Sequence, residues 1–154
     1  IAEKDKYIVE FLSRPVRFDH TYSPDRAADS LLFGTKPKLI HYVDSSGCIS
    51  CKFSDLKLWS VVHKHFRIPV VLVCETQDIP STRYRLQSIN WRFPVVYDTA
   101  GLFRTNNRIS TPVLQTFLLD SGNHPLIVGN PIGNTQLWNL YEKEIARLTD
   151  IRER

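Results

Sequence analysis

Residues 68–74, Ile-Pro-Val-Val-Leu-Val-Cys, are a near-continuous apolar and β-branched run. A strand that is apolar on both faces must be covered on both faces, which is the habit of parallel sheets held between two helix layers. Two similar runs flank it, residues 38–43 (Lys-Leu-Ile-His-Tyr-Val) and 93–97 (Phe-Pro-Val-Val-Tyr). Between the first two runs, Phe53, Leu56, Trp59, Val62 or His63, and Phe66 recur at helical spacing. Between the second and third, Ser81 is expected to cap a helix over 82–89. A short helix over 102–108 should follow the turn Asp98-Thr99-Ala100-Gly101. The pattern then changes. Residues 113–119 read as a strand, Asp120-Ser121-Gly122-Asn123 as a hairpin turn, and 125–128 as the returning strand. An amphipathic helix over 135–148 closes the chain, with Leu137, Leu140, Tyr141, Ile145 and Leu148 in register.

The expected order is therefore βαβαβ(α), a β-hairpin and a final helix. That is an α/β three-layer arrangement, a central mixed sheet with helices on both faces. Residues 1–36 are irregular by comparison, with weak helical character over 6–14, a short strand over 16–22 and a helical turn over 25–33. They read as an N-terminal extension packed on a domain spanning 37–154. The length of 154 residues and an apolar fraction of 42% suit one core. The net charge of +4 is scattered, and its densest stretch, 63–67, lies at a helix end where cations meet the dipole. Without a basic stripe interleaved with aromatics, nucleic acid is not an expected partner. No apolar run is long enough to cross a membrane.

Chemistry concentrates at Cys48-Ile49-Ser50-Cys51, between the first buried strand and the first helix. The first cysteine at a helix N-terminus faces unpaired N–H groups and the positive end of the dipole, which favour its thiolate. The second, one turn on, can reach back and resolve a mixed disulfide. Lys52 adds a nearby positive charge. A zinc site would need two further ligands from Cys74, His41, His63 and His65, and none stands at a ligand spacing, so no metal is expected. Cys74, ending a buried strand, reads as a structural thiol.

Residues 42–52 (Tyr-Val-Asp-Ser-Ser-Gly-Cys-Ile-Ser-Cys-Lys), 93–98 (Phe-Pro-Val-Val-Tyr-Asp) and 115–120 (Gln-Thr-Phe-Leu-Leu-Asp) resemble the thioredoxin superfamily. The similarity is greatest to envelope thiol–disulfide oxidoreductases related to peroxiredoxins and cytochrome-maturation thioredoxins, and with Val128-Gly129-Asn130-Pro131 to a gut-bacterial lipoprotein branch. The resemblance implies a thioredoxin-like fold, Cys48 as nucleophile, Cys51 as resolving cysteine and no cofactor. It implies cysteine-containing envelope proteins as partners, a membrane or thioredoxin-type electron donor, and a periplasmic or envelope location. Membrane attachment would come from a lipid anchor on a removed segment upstream of residue 1.

Three departures stand out. Gly47 replaces the aromatic before the first cysteine. Leu114 stands where the family places its cis-proline, with Pro112 two residues earlier, so Thr111, Pro112 and Val113 are the expected substrate-binding loop, Thr111-Pro112 taking a cis bond against Cys48. Tyr42 replaces the buried acid six residues before the first cysteine, which leaves Asp44, Asp55 or water to move the proton of Cys51. Asp44 also reads as a turn residue, and Asp55 as a first-turn helix carboxylate. Two other readings stay open: a peroxidase-type use of Cys48, and a non-catalytic binding module in which Cys48 and Cys51 form a structural disulfide.

Overall fold

The computed structural model describes residues 3–19, 23–24, 26–46, 49–111 and 114–153. The three buried runs become β2 (Lys38–Val43), β3 (Val70–Glu75) and β4 (Val95–Asp98). All three are parallel, β2 pairing with β3 and β3 with β4. The hairpin strands β5 (Thr116–Leu119) and β6 (Pro125–Val128) run antiparallel on the other side of β2. With the two-residue edge strand β1 (Ser23–Pro24), the sheet has the order β1-β4-β3-β2-β5-β6.

Side-chain alternation along these strands divides the interior in two. Leu39, Val43, Leu72, Cys74 and Leu118 face one layer. There α3 (Ile49–Asp55), a 3-10 turn (Leu56–Leu58) and α4 (Trp59–Phe66) run on from one another, and α7 (Thr135–Glu153) lies beside them. Phe53, Leu56, Trp59, Val62 and Phe66, spaced by three or four residues, are the buried stripe of that helical run. Ile40, Tyr42, Val71, Val73, Val96 and Phe117 face the second layer. Phe11 from α1 (Glu3–Leu12), Val16, Ala28 and Leu32 from α2 (Arg26–Leu32), and Phe103 from α6 (Leu102–Asn106) cover it.

Several expected boundaries move, each for a local reason. Residues 16–19 form no strand: the backbone of Arg17 is held by the Asn107 side chain, N–H to Oδ1 at 2.8 Å and C=O from Nδ2 at 2.9 Å. The strand falls instead on Ser23–Pro24, paired with Val96 and Tyr97. β3 begins at Val70, because Pro69 has no N–H to donate, although its carbonyl still accepts from Leu39. The helix expected from 82 is α5 (Ile79–Ser88), capped by Asp78, whose carboxylate accepts from the N–H of Ser81. Pro80 fits its first turn, where an N–H is not needed. β5 begins at Thr116, not 113, although Gln115 C=O already accepts from Tyr42 N–H at 2.7 Å. In α7, Leu140 is exposed, and Tyr141 and Ile145 carry the buried face, with Trp138 packed at its margin.

Candidate active site

β2 ends at Val43, directly beside Cys74 of β3. The chain turns through 44–46 and enters α3 at Ile49. Cys51 lies in the first turn of that helix, exposed and disulfide-bonded. Cys74 is free, 2% exposed, and its thiol is pushed up to about 12 by burial, so it is inert near neutral pH. Of the site residues expected from sequence, Cys51 and Thr111 are placed by the structure. Cys48, Pro112 and Val113, and with them the proposed Thr111-Pro112 bond, lie outside the described residues.

The loop before the dithiol is tied back onto α3. The Lys52 ammonium donates to the Asp44 carboxylate, to the Asp44 carbonyl at 3.3 Å and to the Ser46 carbonyl. Ser46 Oγ donates to the other Asp44 carboxylate oxygen at 2.6 Å. Lys52 thus binds the loop that leads into the cysteine pair. Burial alone would raise the pKa of Asp44, but the hydrogen bonds from Lys52 and Ser46 and the Lys52 charge outweigh it and hold the carboxyl below its ordinary range. With both oxygens engaged, Asp44 acts as a turn residue. Asp55 is exposed at the end of α3, not in its first turn.

The polar centre that sequence reading missed is Glu75. Tyr42, 2% exposed, donates its hydroxyl to Glu75 Oε2 at 2.6 Å. Arg104 of α6 donates to Glu75 Oε1 at 2.9 Å. Burial, then the bond to Glu75, raises the pKa of Tyr42 and keeps the phenol neutral. Gly101, at φ +68°, completes the seat: a Cβ there would lie 2.9 Å from Glu75 Oε1. The one sequence signal was a lone carboxylate closing the apolar run of β3.

Two clefts flank the turn at 44–46. One of about 560 Å³ is bounded by Val43, Asp44 and Ser45, by Phe53 of α3, and by Cys74, Glu75 and Arg104. The other, about 310 Å³, brings Ser110 and Thr111 together with Tyr42, Asp44, Ser46 and Arg104. Thr111, the described residue of the loop expected to bind substrate, thus borders the same hollow as Asp44 and Ser46, which lead towards the cysteine pair.

The histidines considered as metal ligands are engaged elsewhere. His41 Nδ1 meets Thr116 Oγ1 at 2.8 Å beside the Trp59 ring, and burial pushes its pKa down to about 4. His63 Nδ1 contacts the Ile68 carbonyl and His65 Nε2 contacts Glu142. Among the described residues no group of three or more His, Cys, Asp or Glu could hold a metal, and no helix is long and apolar enough to cross a membrane.

This arrangement of strands and helices superposes on solved structures. A thioredoxin-like protein in its oxidised form superposes with a TM-score of 0.63, covering 88% of this chain and 97% of its own at 15% identity. This chain has a thioredoxin-like fold. A secreted Mycobacterium tuberculosis disulfide oxidoreductase homologous to E. coli DsbE covers 90% of this chain and 98% of its own, with a TM-score of 0.53 and 16% identity. The thioredoxin domain of a thiol-disulfide oxidoreductase from Bacteroides vulgatus covers 75% and 83%, with a TM-score of 0.55 and 13% identity. No family model matches the chain, and no curated protein matches it in sequence.

Proposed function

We propose that this thioredoxin-like protein is a thiol–disulfide oxidoreductase that exchanges disulfides with cysteine-bearing proteins of the cell envelope. The carrying observation is the state of its cysteines: Cys51 is exposed and disulfide-bonded in the first turn of α3, while Cys74 is buried and free. Cys48 is the remaining cysteine of the chain and its proposed partner. The fold's likeness to a secreted disulfide oxidoreductase and to a thiol-disulfide oxidoreductase domain supports the class, and the former supports a location outside the cytoplasm. Attachment through a lipid anchor upstream of residue 1 belongs to the same reading.

In the reduced protein the Cys48 thiolate attacks one sulfur of a substrate disulfide. That S–S bond breaks, the leaving sulfur takes a proton, and a Cys48–substrate mixed disulfide forms. Cys51 then loses its proton and attacks Cys48 Sγ, releasing the second substrate thiol and closing the Cys48–Cys51 disulfide. The substrate gains two electrons and two protons, and the dithiol loses both. A membrane or thioredoxin-type donor restores the dithiol, and the loop 110–113 guides the substrate chain past the second cleft. The direction of flow follows from the potential of the pair against its compartment.

Replacing Cys51→Ser removes the resolving sulfur, so mixed disulfides through Cys48 should accumulate in envelope extract, and Cys48→Ser should trap far fewer. Equal trapping by both variants, or none by either, would leave a binding module with a structural disulfide as the better reading.

A further inference from the structure

We propose that a groove at the pole of the sheet opposite the turn at 44–46 binds an alkyl carboxylate, its head held by Lys64 and Arg67 and its chain laid on an apolar floor. The proposal goes beyond the exchange reaction and does not rest on it. One end of β3 carries Cys74 beside Val43 and the turn. At the other end, where β3 and β4 begin, Ile68, Pro69, Val70, Phe93 and Pro94 line a groove of about 640 Å³ together with Leu31 of α2. The six residues of β3 set the two ends roughly 20 Å apart. The volume falls within the range of small-molecule sites, about 300–1,000 Å³. Leu31, Pro69, Phe93 and Pro94 are only partly buried, so apolar surface is left open there. Covering it with an alkyl chain is favourable in proportion to the area removed from water.

The charged lining is all of one sign. α4 contributes His63 and Lys64, Arg67 caps the end of that helix, and no carboxylate lines the groove. Lys64 and Arg67 are exposed, and among the described residues neither is ion-paired. An adjoining hollow of about 350 Å³ shares His63 and Phe93, adds Lys57 and Arg92, and again holds no carboxylate. Glu142 of α7 contacts α4 through His65, which lines neither hollow. The wall between the hollows is fixed in advance: His63 donates from Nδ1 to the Ile68 carbonyl at 3.0 Å, and its ring lies 4.8 Å from that of Phe93. An apolar floor beside two unpaired cations matches a ligand with one negative group and an apolar body. A bare anion would leave the floor wet, and a neutral chain would leave the cations unused. Cations at a helix C-terminus also complement the dipole, a role that needs no ligand.

The test titrates octanoate, below its micellar concentration, into the isotope-labelled full chain and follows the amide resonances by NMR. Saturable shifts are expected at Leu31, Lys64, Arg67, Val70 and Phe93. Lys64→Gln and Arg67→Gln should each weaken binding roughly threefold, and the double variant about tenfold. Octanol, with the chain and no charge, should bind wild type about tenfold more weakly than octanoate, and the double variant should bind the two alike. Acetate, with the charge and no chain, should give no saturable shift. Acetate shifts as large as those of octanoate would overturn the proposal in favour of an unselective cationic patch. Octanol binding as tightly as octanoate would overturn it in favour of an apolar groove blind to charge. If the double variant melts earlier yet binds octanoate as wild type does, Lys64 and Arg67 serve the helix dipole and the proposal fails. Absence of octanoate shifts at the groove would overturn it outright. Trapping of partners by Cys51→Ser can fail while octanoate binding stands, and the reverse, so the two readings fall separately.

Discussion

Cys74 provides a measurement that separates the roles of the three thiols. Its pKa is pushed from 9.0 to about 12 by burial on β3. At about pH 8 a thiol of the ordinary value is roughly one-tenth thiolate, and one at 12 about one part in ten thousand. Since the thiolate is the species that alkylates, Cys74 should react about a thousandfold more slowly than an ordinary thiol, before its burial adds a barrier to access. The protein would be mildly reduced, exposed to an alkylating reagent for timed intervals at about pH 8, quenched and read by peptide mass spectrometry. Cys48 is expected to label first, Cys51 next and Cys74 at least about a hundredfold later than Cys48. In denaturant the three rates should converge. Labelling of Cys74 within about tenfold of Cys48 in the folded protein would refute the assignment of Cys74 as a structural thiol.

Two other expectations are equally direct. Lys38, fully buried at the head of β2 with its ammonium on Asn123 Oδ1 at 2.6 Å, has a pKa lowered from 10.5 to about 8, chiefly by desolvation. Between those values the unfolded chain holds the proton and the folded one does not, so stability should rise with pH from about 8 to about 10.5, by up to about 3 kcal/mol. Urea titrations across that range should show the slope in wild type and lose it in Lys38→Met. Pro112→Ala should slow reduction of a model disulfide severalfold while leaving the melting temperature nearly unchanged, because its neighbours Ser110 and Thr111 share a cleft with Ser46. Unchanged turnover would remove the loop from the site.

What the sequence made legible depended on how local the determining physics was. β2 was readable to the residue because Lys38–Val43 is buried along its whole length and a turn follows it. β6 was readable because Asp120-Ser121-Gly122-Asn123 closes a tight hairpin, with Asn123 N–H on the Asp120 carbonyl. The cap of α5 was misplaced because Asp78 and Ser81 are both good caps. Pro80, which tolerates the first turn of a helix, was the residue that favoured Asp78. Of the strand expected over 16–22, the described part, 16–19, forms none because Arg17 is held by Asn107, 90 residues away, a contact that periodicity does not encode.

Glu75 was hidden for a related reason, and the hidden contact reshapes the site. A tyrosine at position 42 puts its polar atom a full ring beyond where a carboxylate would end, past β2 itself. At 2% exposure that hydroxyl needs an acceptor, and leaving it unmatched would cost about 1–3 kcal/mol. The neighbouring strand β3 supplies one at its end, 33 residues along the chain. A carboxylate nearly buried there needs a cation, which Arg104 provides from α6. Arg104 can approach because Gly101 leaves the space open at the start of that helix. Where the resemblance places a buried acid six residues before the first cysteine, this chain therefore has a neutral phenol, a carboxylate on the next strand and a half-exposed guanidinium. Negative charge remains beside the active loop, and an exposed counter-ion now balances it.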